Sequence, residues 1–227
     1  MASADAPRSS TRRSTGPGLS RDGIVAAAVE LADDEGLDAV SMRRIAQRLS
    51  VDPMSLYRHV GDKDQLLDAM ADAVVDDIAR PTPESAWPAN LRATIMAARS
   101  TMLRHPWAAT VLARRRDPGP ATLTYMDGVM GMLRDGGLSL ELTHHALHVL
   151  GSRVLGFSQD LFEDKTAERP DLSAAAAMAA RFAATHPHVA EMAMAVSHDG
   201  GLGGCDDDLE FAFGLDLILD GLARRAA

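Results

Sequence analysis

Cationic side chains are concentrated in one short segment of an otherwise acidic chain. The 227 residues have a formal net charge of −9, a balance that disfavours phosphate binding by the surface as a whole. Residues 41–63 are the exception, because five cations there outnumber two carboxylates and give a local charge of +3. The cations are Arg43, Arg44, Arg48, Arg58 and Lys63, and the carboxylates are Asp52 and Asp62. Guanidinium and ammonium groups bind phosphates and base edges, so this segment is the candidate nucleic-acid interface.

A histidine cluster, His144, His145 and His148, offers a second kind of chemistry. His144 and His148 are four residues apart and share a helix face, as zinc ligands do. No glutamate follows in the His-Glu-x-x-His sense, and no other ligand set is evident. The sequence also has no nucleophile and base at a spacing typical of a catalytic pair, and no phosphate-binding glycine loop. We therefore expect no metal and no cofactor, and an all-helical metal-dependent enzyme remains the alternative that a metal analysis would test.

The elements that position the cations follow from the spacing of apolar residues. Ser41 caps a segment whose inward face repeats at i, i+3, i+4 and i+7: Met42, Ile45, Ala46 and Leu49. After a break of about three residues, the same spacing returns in Pro53, Leu56, Tyr57 and Val60. Two short helices joined by a tight turn form a helix-turn-helix, in which the second helix enters the major groove.

The flanking sequence predicts the domain organisation. An apolar stripe over 20–34 indicates a helix before the pair, and a stripe from Leu66 to Ile78 indicates one after it, ending at Pro81 and Pro83. We predict a disordered basic arm at 1–19, a DNA-binding domain at 20–80, and an effector-binding and dimerisation domain at 81–227. The arm is rich in Ser, Pro, Gly and Arg, and it either trails along DNA or is a solvated tail.

The remainder of the chain is predicted to be helical throughout. No convincing alternation of period two occurs, so the expected fold class is all-α. Apolar stripes mark two helices, one over 147–161 and one over 211–222. The single cysteine, Cys205, and the lack of a signal peptide lead us to expect the reducing cytoplasm. No run of 18 apolar residues occurs, so we expect no membrane span.

The helix-turn-helix segment resembles the tetracycline repressor (TetR) family. The resemblance rests on Ser-Met-Arg-Arg-Ile-Ala-Gln-Arg-Leu-Ser-Val (41–51) and Ser-Leu-Tyr-Arg-His-Val-Gly-Asp-Lys-Asp-Gln-Leu-Leu (55–67). The segment 211–222 also resembles the C-terminal dimerisation helix of the tetracycline repressors proper. The family usually has glycine at the position of Ser50, where a positive φ is convenient. The resemblance implies a homodimeric, ligand-responsive repressor that binds a palindromic operator through an N-terminal three-helix domain.

Carried over by position, the family pattern assigns roles to individual residues. Arg43 would reach a base edge or a phosphate, and Met54 and Ser55 would lie nearest the bases. Tyr57, His59 and Lys63 would bind phosphates. Alternatively, Tyr57 is mostly core, and Arg44 and Arg48 are ordinary solvated helix residues. The full predicted DNA-binding set is Ser41, Arg43, Arg44, Pro53, Met54, Ser55, Tyr57, Arg58, His59 and Lys63.

The C-terminal domain is expected to bind a small-molecule effector in a mostly apolar pocket. The candidate ligand-binding residues, each of which is otherwise plain core, are Trp107, Met126, Met130, His148 and Phe157. In the tetracycline repressors a histidine helps to hold drug-bound magnesium, and that position aligns near Leu112, so tetracycline is not the expected effector. Control by a protein partner instead of a small molecule, and activation instead of repression, stay open as alternatives.

Overall fold

The computed structural model describes residues 19–80, 86–155, 180–191 apart from 182 and 189, and 207–226. Every regular element in these ranges is helical and none is a strand, which confirms the all-α fold class. The predicted arm as far as residue 18, both prolines of the predicted boundary, Phe157 and Cys205 lie outside the described residues. The chain divides into two compact units, Met1–Ala73 and Val74–Ala227.

The first unit contains the helix-turn-helix and the helix before it. Its elements are α1 (Arg21–Glu35), a 3₁₀ turn (Leu37–Ala39), α2 (Met42–Leu49), α3 (Pro53–Val60) and the greater part of α4 (Lys63–Asp76). Ser20 and Ser41 cap α1 and α2, because each hydroxyl accepts a hydrogen bond from the N–H three residues ahead. These caps satisfy amide groups that a helix start leaves without a partner.

A small apolar core holds α2 and α3 in place. Ile45 and Leu56 are fully buried, and Val60 is almost so. Burial of side chains of this size stabilises a fold by about 1.5–3 kcal/mol each, so the rotation of each short helix is fixed by its apolar face. The predicted inward stripe is wrong in one residue, since Tyr57 is 45% exposed. Tyr57 follows Leu56 directly and is rotated by about 100° from it, which takes its ring to the edge of the buried face.

The turn between α2 and α3 depends on the backbone of Ser50. This residue ends α2 in the left-handed conformation, with φ 55° and ψ 42°. Its N–H bonds to the carbonyl oxygen of Gln47 at 3.2 Å, and the N–H of Val51 bonds to that of Ala46 at 2.9 Å. The left-handed residue therefore turns the chain back over the last turn of α2, at a conformational cost that a glycine would avoid.

Among the described residues, the second unit contains five helices of nine residues or more, besides the end of α4. They are α5 (Trp87–Arg104), α6 (Pro106–Arg114), α7 (Pro120–Asp135), α8 (Leu140–Leu155) and α9 (Asp207–Ala226). Proline opens α6 and α7, where its missing N–H costs no hydrogen bond. The core joins α5, α7, α8 and α9 through Leu91, Ile95, Val129, Leu133, Leu150, Phe211, Leu215 and Leu219. Within the described ranges, no helix combines the length and the apolar character that crossing a bilayer requires.

Replacing Ser50 by glycine should stabilise the first unit. Glycine adopts the left-handed region without the steric penalty of a Cβ atom, so the Ser50→Gly variant should gain about 1 kcal/mol in free energy of unfolding. Urea denaturation followed by circular dichroism measures the gain. Ser50→Ala is the matched control, because alanine keeps the Cβ atom and should bring no such gain. A Ser50→Gly variant no more stable than Ser50→Ala would show that this φ carries no strain.

Candidate functional site

The outward face of the helix-turn-helix presents most of the predicted DNA-binding residues to solvent. Arg43, Arg44, Met54, Tyr57, Arg58, His59 and Lys63 are exposed, and Ser41, Pro53 and Ser55 are half-buried. Met54 is 70% exposed, which is unusual for a large apolar side chain and leaves it available for contact with another molecule. Leu56 and Val60 lie on the opposite side of α3 in the core.

The start of α3 is held by Asp52. Its carboxylate accepts a hydrogen bond from the N–H of Met54 at 2.8 Å, and its backbone carbonyl accepts one from the Ser55 hydroxyl at 2.5 Å. The Ser55 hydroxyl therefore donates its hydrogen bond to the backbone of α3, and its oxygen can still accept a hydrogen bond from another molecule. Residues 54, 57 and 58 share the outer surface of the helix, since positions three and four apart lie on one side. We call Met54, Tyr57 and Arg58 the α3 face.

Two arginines of α2 are engaged by carboxylates of α1. Arg44 donates to both carboxylate oxygens of Glu35 at 2.6 Å. Arg48 donates to Asp34 at 2.9 Å and to Glu30 at 3.4 Å. The hydrogen bond to Asp34 is the largest of the effects that raise the pKa of Arg48. These pairs tie α2 to α1 and reduce the positive charge that the two arginines offer to a phosphate.

The remaining cations of the segment are left with their full charge. Arg43, Arg58 and Lys63 have no ion-pair partner within the described part of the chain. Lys63 is the first residue of α4, and Asp62 before it accepts a hydrogen bond from the N–H of Gln65 at 2.8 Å. An exposed cation at a helix N-terminus is well placed for a phosphate, because the helix dipole adds to the attraction.

Comparison with known proteins identifies the family. Residues 24–70 match the family described as "Bacterial regulatory proteins, tetR family", and residues 80–226 match "Tetracyclin repressor-like, C-terminal domain". The chain belongs to the TetR family. The resemblance found in the helix-turn-helix segment is thereby confirmed, and the protein is a DNA-binding transcriptional regulator of the helix-turn-helix type.

Individual relatives of this TetR-family regulator cover nearly all of it. It is 34% identical over 213 residues to the HTH-type transcriptional repressor DrrR1 of Streptomyces coeruleorubidus, covering 91% of this chain and 78% of that protein. It is 28% identical over 211 residues to the tetracycline repressor protein class C of Escherichia coli, covering 91% of each chain. The TetR family protein ActR of Streptomyces coelicolor, solved in complex with actinorhodin, superposes with a TM-score of 0.73 at 31% identity. That match covers 92% of this chain and 99% of ActR.

The second unit of this TetR-family regulator contains a cavity of about 430 Å³, within the size range of small-molecule sites. Its walls are mostly apolar and come from several helices, with Val75, Ile95, Met102, Met126, Val129, Leu147, Leu150 and Val154 among the lining residues. Gly151 also lines it, and a Cβ atom built there meets no atom of the described residues within 4 Å. Within the described part of the chain, the cavity therefore has open space next to α8.

The structure brings one of the predicted ligand-binding residues to the cavity. Met126 lines it, whereas Trp107, Met130 and His148 are not among its lining residues. Trp107 is 6% exposed and packs in the core. Met130 and His148 each follow a lining residue, and one further residue rotates a helical side chain by about 100°. Both residues lie on helices, as predicted. The sequence did not show which side of each helix faces the cavity.

Four polar residues of the cavity were missed by sequence reasoning: Arg115, Arg116, Thr122 and Tyr125. Arg115 and Arg116 directly follow the last residue of α6. Tyr125 lines the cavity as well, and its buried hydroxyl has no hydrogen-bond partner in the described ranges. Burial raises the pKa of Tyr125 from its ordinary value near 10 to about 12, so the phenol is a neutral donor at physiological pH.

The histidine cluster is a surface feature of α8. The rings of His144 and His148 lie 4.6 Å apart between centroids in an edge-to-face arrangement, and all three histidines are exposed. No group of three or more potential metal ligands occurs among the residues that the structure describes. Two imidazoles on one helix fall short of the ligand number of a structural zinc site.

Removing the Tyr125 hydroxyl should stabilise the protein when no ligand is added. A buried hydroxyl without a partner costs about 1–3 kcal/mol, so the Tyr125→Phe variant should unfold with a higher free energy, by about 1 kcal/mol. The folded pKa lies above the unfolded one, so the unfolded chain loses this proton first. Tyr125 therefore contributes a loss of wild-type stability as the pH rises from about 10 to about 12.

Urea denaturation at a series of pH values measures both effects. The Tyr125→Phe variant should lack the alkaline loss, and Tyr57→Phe, which keeps Tyr125, should retain it. An unchanged or lower stability of Tyr125→Phe at neutral pH would mean that the hydroxyl has a partner after all.

Proposed function

We propose that this TetR-family regulator is a homodimeric repressor that binds a palindromic operator and is released when a small-molecule effector enters the cavity of the second unit. The observation that carries the proposal is the exposed α3 face, flanked by unpaired cations and backed by a buried apolar stripe. A major groove admits a helix of this kind, and the apolar stripe holds the helix while its polar side contacts the duplex.

Base contacts are assigned to the exposed side chains at the start of each short helix. Arg43 is proposed to read a guanine through two hydrogen bonds, a contact worth about 1–3 kcal/mol of discrimination. Met54, with 70% of its surface exposed, suits contact with a thymine methyl group. Ser55 can accept a hydrogen bond from a base amino group, because its own proton is donated to Asp52.

Phosphate contacts are assigned to Tyr57, Arg58, His59 and Lys63, which fix the position of the helix without reading sequence. Ser41 and Pro53, at the starts of α2 and α3, are proposed to approach the backbone. Arg44 is proposed to act mainly through Glu35, by holding α2 against α1, because both of its short contacts go to that carboxylate. Arg48 has the same supporting role through Asp34.

Dimerisation is assigned to an exposed apolar stripe on α9. Leu209, Phe213 and Leu217 recur every four residues and remain exposed, with Phe213 at 62%. The opposite side of the same helix is buried through Phe211, Leu215 and Leu219. A contiguous apolar stripe on a helix surface marks an interaction site, and a second copy can cover it by two-fold symmetry. Such symmetry suits two half-sites about 34–36 Å apart on the operator.

Effector release is assigned to the cavity. The solved complex of ActR with actinorhodin supports a small-molecule site in a relative of 31% identity. One continuous helix, α4, has Lys63 as its first residue and contains Val75, which lines the cavity. A ligand that favours one position of α4 would shift the population away from the DNA-bound state, and DNA would weaken ligand binding to the same extent.

Substitutions on the reading helices should separate base reading from phosphate binding. Arg43→Ala should lower affinity for an operator selected in vitro by about tenfold or more and relax its sequence preference. Lys63→Ala should weaken binding to all sequences alike and reduce the slope of log affinity against log salt by about 1. Fluorescence anisotropy with labelled duplexes at several salt concentrations measures both quantities.

Arg114→Ala is the matched control, because Arg114 is an exposed arginine at the end of α6 in the other unit. It should leave operator affinity unchanged. If Arg43→Ala and Lys63→Ala both behave like Arg114→Ala, the helix-turn-helix does not bind DNA through the assigned residues.

A charge on the α9 stripe should disrupt the dimer. Phe213→Glu or Leu217→Glu would bury a carboxylate in an apolar interface, so each should convert the dimer to a folded monomer with weakened operator binding. Sedimentation velocity gives the mass, and circular dichroism checks the helix content. Leu123→Glu, at a similarly exposed leucine on α7, should leave the dimer intact. A Phe213→Glu protein that stays dimeric would place the interface elsewhere.

A further inference from the structure

The first helix, α1, places a row of carboxylates beside α2. We call Glu30, Asp34 and Glu35 the α1 acidic row. Glu35 pairs with Arg44 at 2.6 Å. Asp34 and Glu30 pair with Arg48 at 2.9 and 3.4 Å. Three carboxylates thus contact two guanidinium groups, so the row more than compensates the charge that these arginines bring to the cationic segment.

Both arginines remain within reach of another molecule. The side chain of Arg44 is 44% exposed and that of Arg48 is 36% exposed. An exposed ion pair adds little to folding stability, because water screens both charges and two long side chains lose rotational freedom. A phosphate offers an arginine the same charge-assisted hydrogen bonds as a carboxylate does. The α1 acidic row and a DNA backbone therefore compete for the same two guanidinium groups.

This competition affects non-specific DNA binding most directly. Each phosphate that a protein cation neutralises releases counterions, and this contribution is the same for every sequence. Arg43, Arg58 and Lys63 have no ion pair among the described residues, so they can bind phosphates in any register. An operator differs from other DNA, because its base contacts require α2 and α3 to be held at one rotation, and the ion pairs to α1 hold α2. Withholding Arg44 and Arg48 from phosphates therefore lowers affinity for arbitrary duplexes without removing a base contact.

We propose that the α1 acidic row determines specificity for the operator, by keeping Arg44 and Arg48 from the phosphates of other DNA. This inference rests on the proposed function, since it takes the outward sides of α2 and α3 to be the DNA surface. The row contacts no base and acts through the two arginines. Its measurable effect is on the ratio of operator affinity to non-operator affinity, which decides how much of a regulator is lost to other sites in a genome.

The Glu35→Gln variant tests the proposal at the pair with the shortest contact. Glutamine keeps the size of glutamate and an acceptor oxygen but has no charge, so Arg44 is free to pair with a phosphate. The variant should bind a duplex of scrambled sequence about fivefold more tightly at about 0.1 M salt, and the slope of log affinity against log salt should steepen by about 0.9 for each arginine released. Operator affinity should rise less, because α2 loses a contact that fixes its rotation, so the ratio of the two affinities should fall. Fluorescence anisotropy at several salt concentrations measures these quantities.

Two controls separate this ion pair from a general effect of charge. Asp38→Asn removes an exposed carboxylate of the 3₁₀ turn that has no ion pair among the described residues, so it should change the ratio of affinities little. In an Arg44→Met background, Glu35→Gln should no longer raise non-operator affinity, because the arginine on which it acts is gone. A rise in either control equal to that of Glu35→Gln alone would overturn the proposal. Circular dichroism checks that each variant keeps its helix content.

The outcomes distinguish failure of this inference from failure of the proposed function. If Arg43→Ala weakens operator binding but Glu35→Gln leaves non-operator affinity unchanged, or raises both affinities equally, the DNA surface stands and the specificity role of the row is overturned. A lower affinity of Glu35→Gln for both duplexes would overturn it too, since Glu35 would then have only a structural role. If Arg43→Ala binds the operator like the wild type, the assigned DNA surface is wrong, and this inference fails together with the proposed function.

Discussion

The outward position of the α3 face depends on the burial of Leu56 and Val60 on the other side of α3. An eight-residue helix has little stability of its own, so its rotation is set by the core on which it packs. With these two side chains inside, positions 54, 57 and 58 have no alternative but to face outward. The caps at Ser41 and Asp52 and the left-handed Ser50 then fix where α2 ends and α3 begins. The set of side chains that α3 exposes to solvent is thus a consequence of how its apolar side packs in the core.

The position of each cation on α2, α3 and α4 also decides whether a carboxylate pairs with it. The chain is acidic overall, and the carboxylates of α1 take up Arg44 and Arg48, while Arg43, Arg58 and Lys63 keep their full charge. A regulator that must find one operator among many duplexes gains from a small cationic surface on an acidic body, since non-specific phosphate binding grows with the number of cations. The ion pairs of α2 keep that number low, and they also orient α2.

The sequence predicted features that depend on residues close together in the chain. It did not predict contacts between residues of different helices. The helix-turn-helix followed from spacings of three and four residues, and the exposed positions of α3 followed with it, apart from Tyr57 at the edge of the stripe. The pairing of Arg44 with Glu35 spans nine residues and two helices, so no periodicity within α2 revealed it. The cavity is formed by residues from 75 to 154, and its position decided that Met126 lines it and Met130 does not. Arg115 and Arg116 follow the end of α6, and most of the lining that they join lies on other helices, so no local pattern marked them as cavity residues.

The cavity of the second unit follows from packing in the same way as the α3 face. Its wall is mostly apolar, and the Tyr125 hydroxyl is buried there without a hydrogen-bond partner among the described residues, which costs free energy. A molecule that covers the apolar wall and offers an acceptor to this phenol recovers that free energy, and it binds most tightly to the conformation in which the cavity is best formed. Under the proposed function, such a molecule acts on the operator only so far as that conformation differs in the position of α4, and the coupling is reciprocal.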